Sequence, residues 1–317
     1  MPRMADLAEL VRAPAALSVP GDVVAGAAAA GALGRRTPAL AAASVLLYWA
    51  GMAANDWADR ELDAVERPER PIPSGRVSPG LAVGLAAGLT AAGVGLAAAA
   101  GGRRAAAVAV PLAAAVWGYD LAAKNTAAGP AVMATCRGLD VLLGAAGGRP
   151  ARALPAAVTV AAHTWTVTAL SRREVSGADR ALPLRTLAGT ALVAASAARP
   201  PGRQLTGRIT RTGAPAGALP EPAGRAPAPG RRVLGAVAVS LPAVLAAWYA
   251  ARYGTAQARV AAEPTAARVR SAVGAGITGL PALQGALTAR AGSGLLGLAV
   301  AAAAPLGRRL ARKVSPT

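Results

Sequence analysis

Charged residues leave this chain bare over long intervals. Residues 37–55, 77–102, 105–119, 153–171, 186–198, 233–251, 271–289 and 291–307 contain no Asp, Glu, Lys or Arg. A helix needs about 20 mostly apolar residues to cross a hydrocarbon core about 30 Å thick, and several of these intervals meet that length. Two further spans qualify with a charge inside: roughly 14–33, holding Asp22, and roughly 130–148, holding Arg137 and Asp140. Water-soluble helices of this length carry a polar face, and these windows have none. Alanine and leucine dominate, and β-branched residues do not alternate with polar ones, so strands are disfavoured. The expected fold is all-α: a polytopic membrane bundle of nine to ten transmembrane helices, one membrane-embedded domain over residues 1–317. A flexible Pro/Gly/Arg-rich insertion interrupts it at about 199–232. The mixed-charge start (Arg3, Asp6, Glu9, Arg12) is not that of a cleavable signal peptide.

Composition removes other classes. At 54% hydrophobic, the chain is too apolar to be disordered. The single cysteine, Cys136, excludes a disulfide scaffold, and with one histidine, His163, no His/Cys zinc site can be built. The net charge of +19 would suit nucleic acid. However, lysine occurs only at 124 and 313, isoleucine three times and phenylalanine never, which is the bias of a GC-rich genome. No folded basic domain or aromatic–basic interleaving lies outside the spans, so nucleic acid is not the expected partner. The lipid bilayer is, with the cytoplasmic membrane of a GC-rich bacterium as the expected location. Alternation of spans puts loops 56–76, 120–129, 172–185 and 252–270 on one side. The tail with Arg308, Arg309, Arg312 and Lys313 joins them, and the positive-inside tendency makes that side cytoplasmic. The insertion, with seven arginines, then falls on the other side, against the tendency.

The most informative stretch is Asn55-Asp56-Trp57-Ala58-Asp59-Arg60-Glu61-Leu62-Asp63. Asp56, Asp59 and Asp63 sit at i, i+3 and i+7, so a helix puts their carboxylates on one face. Stacked like charges call for a cation or a basic partner. Carboxylates beside an amide are hard oxygen ligands suited to Mg²⁺, held with substrate phosphate oxygens. A solvated helix end, with Asp59 and Asp63 paired to Arg60 and Arg67, is the plainer alternative. The chain continues Arg67-Pro68-Glu69-Arg70-Pro71-Ile72-Pro73-Ser74-Gly75-Arg76-Val77-Ser78, adding three arginines able to meet diphosphate oxygens as bidentate donors.

NDxxDxxxD followed by RPxRPIPSGRVS resembles the first aspartate-rich motif and loop of UbiA-type intramembrane prenyltransferases. That resemblance implies helices around a central cavity and a prenyl diphosphate bound through Mg²⁺. It also implies transfer of the prenyl cation to a lipophilic, often aromatic, acceptor. Asn55, Asp56, Asp59 and Asp63 take the metal–diphosphate role, with Arg67, Arg70 and Arg76 as substrate-binding candidates. Tyr119 and Lys124, closing the next motif Tyr119-Asp120-Leu121-Ala122-Ala123-Lys124, fall where the family has a tyrosine and a lysine facing the diphosphate. Lys124 also reads as a membrane-anchor charge.

The second motif departs from the family pattern. In Ser171-Arg172-Arg173-Glu174-Val175-Ser176-Gly177-Ala178-Asp179-Arg180, Glu174 takes the place of the second acid, while Ser or Arg replaces the first. Asp179 and Arg180 match the downstream pair. An arginine in place of an acid exchanges a metal ligand for a fixed cation, so Arg172 or Arg173 would contact the diphosphate directly. This departure resembles the divergent, EboC-like branch. Within the spans, Arg137 and Asp140 at i, i+3 read as a self-neutralising pair or as acceptor-side polar groups. Asp22, after Pro20-Gly21, reads as an acceptor-orienting group or as a cap on a locally opened helix. His163 reads as a base or, more simply, a packing residue, and Cys136 as a packing residue. An intramembrane terpene cyclase, or a degenerate scaffold or transport component, would use the same frame.

Overall fold

The computed structural model describes residues 2–13, 18–200 and 229–303. Most of the insertion and the basic tail lie outside the described residues. Among the described residues, eleven α-helices follow in chain order: α1 Met4–Leu10, α2 Pro20–Ala30, α3 Thr37–Ala58, α4 Arg60–Glu66, α5 Pro79–Gly118, α6 Gly129–Gly144, α7 Pro150–Ser171, α8 Ala181–Ala197, α9 Pro229–Ala262, α10 Ala266–Arg290 and α11 Gly294–Ala303. A five-residue π-helical turn, Tyr119–Ala123, extends α5. No strand occurs among the described residues, in keeping with the all-α expectation.

Local sequence explains where these helices begin. Proline occupies the first or second position of α2, α3, α5, α6 and α7, where its missing N–H goes unneeded and its fixed φ suits the first turn. At α5 the Ser78 hydroxyl also accepts from Leu81 N–H at 3.3 Å, a cap contributing about 1 kcal/mol. Thr265 opens α10 in the same way.

α5 is two arms. Gly102, at φ 67° and ψ −158°, breaks the helical path between the apolar runs 77–102 and 105–119. The arms fold back on each other: Trp117 Nε1 donates to Thr90 Oγ1 at 3.0 Å across a sequence gap of 27 residues. α5 packs along α3, α6 along α7 and α9 along α10, while α2 touches α3, α6, α7 and α10. Two crossings bring backbones together through glycine. A Cβ on Gly26 would lie 1.8 Å from the Val141 carbonyl oxygen, and one on Gly144 2.0 Å from that of Val23. Gly285 and Gly297 repeat the arrangement between α10 and α11. Such close packing between small residues suits association in lipid, where hydrophobic burial gives helices little reason to meet.

Among the described residues, three elements are long and apolar enough to cross a membrane: Thr37–Ala58, Pro79–Ala123 and Pro150–Ser171. The expected nine to ten spans are not established on this measure, even though the 45 residues of the second are two arms. α8 is short at 17 residues, and arginines lie inside α9 and α10. The expected loop 252–270 is corrected to residues 263–265, because α9 runs to Ala262 and α10 starts at Ala266. Arg252, Arg259, Arg268 and Arg270 sit on helical backbone, so a break in the apolar pattern there marks the end of an apolar stretch and not the end of a helix.

Candidate active site

The aspartate motif straddles the α3–α4 junction. Backbone bonds from Asp59 N–H to Asn55 C=O (2.9 Å) and from Asp63 N–H to Asp59 C=O (2.8 Å) carry the helical path through Asp59. Asp56 and Asp63, two turns apart, therefore share a face as the spacing predicts. Both are buried, at 4% and 2% exposure, and one guanidinium joins them. Arg70 Nη1 lies 2.6 Å from Asp63 Oδ2 and 3.4 Å from Asp56 Oδ1. Arg67 approaches Asp63 Oδ1 at 3.7 Å, and Arg12, from beyond the end of α1, donates to Asp56 Oδ1 at 2.6 Å.

Asp59 turns the other way and meets Lys124, with Nζ to Oδ1 at 2.6 Å. The π-helical turn sets this up: Lys124 N–H reaches back five residues to Tyr119 C=O at 2.9 Å. Within that turn Asp120 is buried and accepts from Asn55 Nδ2 at 3.3 Å. Asp120 is not among the residues expected at the site. Its signal is an acid at the end of a charge-free run, without a spacing rule to join it to Asn55.

The second-motif residues gather at the same end of the bundle but contribute differently. Arg172 donates to the Thr126 carbonyl, tying the end of α7 to the loop after Lys124. Glu174 offers its backbone carbonyl to Arg270 Nη1 at 2.7 Å. Burial pushes its carboxyl above the usual range, with the nearby Arg270 charge opposing. Ala178 N–H bonds to Pro264 C=O at 3.1 Å, so loops 172–180 and 263–265 also meet. Arg173 is exposed. Asp179 accepts from Leu182 N–H at 2.8 Å, capping the start of α8. Arg76 holds α1, with Nη1 2.9 Å from Asp6 and 2.6 Å from Glu9, and Nη2 2.6 Å from the Glu69 carbonyl. The hydrogen bonds from Arg3 and Arg76 hold the Asp6 carboxyl down at about 2.

The interior polar residues form a separate network. Arg137 does not pair with Asp140 along its own helix. Its Nε lies 2.8 Å from Asp22 Oδ2 on α2, and its guanidinium sits 5.4 Å from the Tyr48 ring centroid. Asp22 also accepts from Gln284 Nε2 at 2.7 Å, and Asp140 accepts from Ser44 Oγ. Asp22 is thus an interhelical ion-pair partner. Gln284 also borders a cleft of about 270 Å³ between α2, α10 and α11, lined by Pro20, Val24, Pro281 and Val300. His163 is buried, its Nδ1 2.8 Å from Tyr249 Oη, with the Tyr249 and Tyr253 rings edge-on. It packs as the plainer reading expects, and so does buried Cys136.

The donor set suits a hard divalent cation. Asp56 and Asp63 already converge on one cationic nitrogen, while the Asn55 amide donates to Asp120. No cluster of three or more His, Cys, Asp or Glu able to hold a metal occurs among the described residues. Two buried carboxylates that share one cation are oxygen donors of the kind that would hold Mg²⁺ together with substrate oxygens.

Apolar helices long enough to cross a membrane, with paired acids and bases gathered where α3, α4 and the turn after α5 meet, are those of a helical membrane protein. The model of the UbiA prenyltransferase family matches residues 18–271, and the chain belongs to that family. It is an integral membrane protein. Digeranylgeranylglyceryl phosphate synthase of Natronomonas pharaonis is 44% identical over 81 residues, which is 25% of this chain and 29% of that protein. The synthase of Ignicoccus hospitalis is 44% identical over 85 residues, 27% and 28% of the two chains. The matched stretches thus span less than a third of these relatives. A solved structure of a digeranylgeranylglyceryl phosphate synthase superposes with a TM-score of 0.62 at 15% identity, covering 90% of this chain and 98% of that one. The apo structure of a UbiA homologue from Aeropyrum pernix gives 0.51 at 21%, covering 83% and 96%. At those identities the structural likeness speaks for the fold alone.

Proposed function

We propose that this protein transfers an isoprenyl group from a prenyl diphosphate to a lipophilic acceptor inside the membrane, with Mg²⁺ as cofactor. The observation that carries this reading is the Asp56–Arg70–Asp63 cluster, bordered by Lys124 on Asp59, at one end of an apolar bundle. Asp56 and Asp63 would hold the metal, and Asn55 and Asp59 would join them by turning from Asp120 and Lys124; the ion when bound would neutralise the diphosphate and ease its departure. Arg67, Arg70 and Lys124 have N–H donors on the same cluster and would take diphosphate oxygens as charge-assisted partners. Turned from their carboxylate partners, these cations would stabilise the charge that develops on the departing diphosphate. The apolar helices shelter the allylic cation from water until the acceptor attacks. The cleft beside Gln284 is an apolar surface suited to an isoprenoid chain or acceptor tail. The names of the archaeal relatives favour a lipid acceptor. Arg172, which stands where the family pattern has an acid, bonds to the Thr126 carbonyl and would act as a fixed cation beside the diphosphate.

The test is turnover of geranylgeranyl diphosphate by the purified protein in nanodiscs containing an extract of host membrane lipids. Prenylated lipid should form with Mg²⁺, and Asp56→Ala should abolish it while leaving the folded helical content unchanged. A cyclised hydrocarbon formed without acceptor would replace this reading with that of a terpene cyclase. Failure to bind the diphosphate at all would replace it with that of a scaffold.

A further inference from the structure

Arg12 lies outside the stretch that matches the family, which begins at residue 18, yet its side chain sits on the first motif acid. Its Nη2 is 2.6 Å from Asp56 Oδ1, the same oxygen that Arg70 approaches at 3.4 Å, and its Nη1 is 3.9 Å from Met52 Sδ. Among the described residues it is the sole non-glycine residue with a positive φ, at 44°. The segment that delivers it is firmly seated. Leu10 and Val11 are buried against Ala53, Ala54, Ile72 and Val77. Arg76 clasps Asp6 and Glu9 from the loop that also carries Arg67 and Arg70. The Arg12 side chain itself remains 39% exposed, whereas that of Asp56 is 5% exposed.

We infer that Arg12 is a positioning residue that occupies Asp56 Oδ1 until a diphosphate arrives. This rests on the metal assignment proposed above. A cation bound through that oxygen would need the lone-pair region that Arg12 fills, so metal and guanidinium would compete there. A diphosphate offers Arg12 another anionic partner with better bidentate geometry, and its half-exposed stem leaves room to turn. Metal alone then binds weakly, and metal together with diphosphate binds well. The N-terminal helix thereby couples the two ligands and keeps the acid cluster from filling with metal before substrate is present.

The experiment is Mn²⁺ binding to the full chain in nanodiscs, followed by electron paramagnetic resonance with the metal alone. Arg12→Ala should bind Mn²⁺ about 5- to 20-fold more tightly than wild type, within the usual range of coupling between sites. Arg12→Lys should stay near wild type, because the competing charge is kept. Glu9→Gln, which loosens the Arg76 clasp without touching the acid cluster, should tighten binding about 2- to 3-fold and serves where Arg12→Ala does not fold. A merely structural Arg12 predicts the opposite: equal or weaker binding in both variants, and that result overturns the inference while the metal assignment stands. If even Arg12→Ala takes up no Mn²⁺ above the Arg12→Ala/Asp56→Asn double variant, the metal assignment fails and this inference fails with it.

Discussion

Glycine plays opposite parts in two regions of this bundle, and alanine substitution should separate them by sign. A Cβ on Gly144 would lie 2.0 Å from Val23 O, 2.7 Å from Val23 C and 2.8 Å from Val23 Cα. All three are backbone atoms on α2 and cannot rotate away. Ordinary contact begins at 3.4 Å, so α2 and α6 must separate by the difference, 3.4 − 2.0, or about 1.4 Å. Overpacking of that kind costs about 1–3 kcal/mol. The same displacement stretches the Asp22–Arg137 pair from 2.8 Å to beyond 4 Å and weakens a fully buried ion pair. The combined cost for Gly144→Ala is about 3 kcal/mol or more. Gly84 and Gly88, on the exposed face of α5, have nothing within 4 Å of where an added methyl would sit. There alanine only removes glycine's excess backbone freedom and should stabilise by about 0.5–1 kcal/mol each. Equilibrium unfolding in mixed dodecyl maltoside–SDS micelles, followed by circular dichroism, measures both. Equal stabilities for Gly144→Ala and Gly84→Ala would refute the close approach of α2 and α6.

Three further outcomes follow from the same contacts. Lys124→Met should raise the dissociation constant for geranylgeranyl diphosphate by about tenfold or more, with Lys124→Arg recovering only part, measured by calorimetry in nanodiscs. Arg137→Met leaves Asp22 buried without its cation and should cost about 3–5 kcal/mol in the micelle assay; Asp22→Asn in the same chain should restore much of it. Asp6 has a carboxyl held at about 2, below its ordinary 3.8. Its contribution is therefore complete above pH 4 and fades as pH falls towards 2. The α1 clasp should persist at pH 5 and loosen between pH 4 and 2, seen as lost hydrogen-exchange protection at Leu7–Val11, and Asp6→Asn should flatten that dependence.

Much of the acid cluster was legible because it is local. Asp56 and Asp63 meet Arg70 within 14 residues of chain, and helical periodicity alone puts the two acids on one face. The mutual approach of the loops was legible in outline from the alternation of apolar runs: Lys124 meets Asp59, and Arg172 meets the loop after Lys124. Arg12, Asp120 and Gln284 were not, since their partners lie 44, 65 and 262 residues away and no periodicity couples such positions. The partners of Arg76 were hidden for a related reason: the two α1 carboxylates lie 70 and 67 residues away and are brought near by tertiary folding. Arg137 and Asp140 share a helix turn, yet each finds a better partner on another helix.

The π-helical turn at Tyr119–Ala123 makes this site sensitive to counting as well as to chemistry. Each residue of an ordinary helix advances the side-chain direction by about 100°. One extra residue in a wide turn shifts the phase of all that follows, and here Lys124 is the first side chain after the shift. Straightening residues 119–123 into an ordinary helix with none of them removed would swing the lysine about a quarter-turn off Asp59, with every residue type of the site still present. A chain can therefore keep the whole chemical alphabet of this site and still misaim it through a single turn.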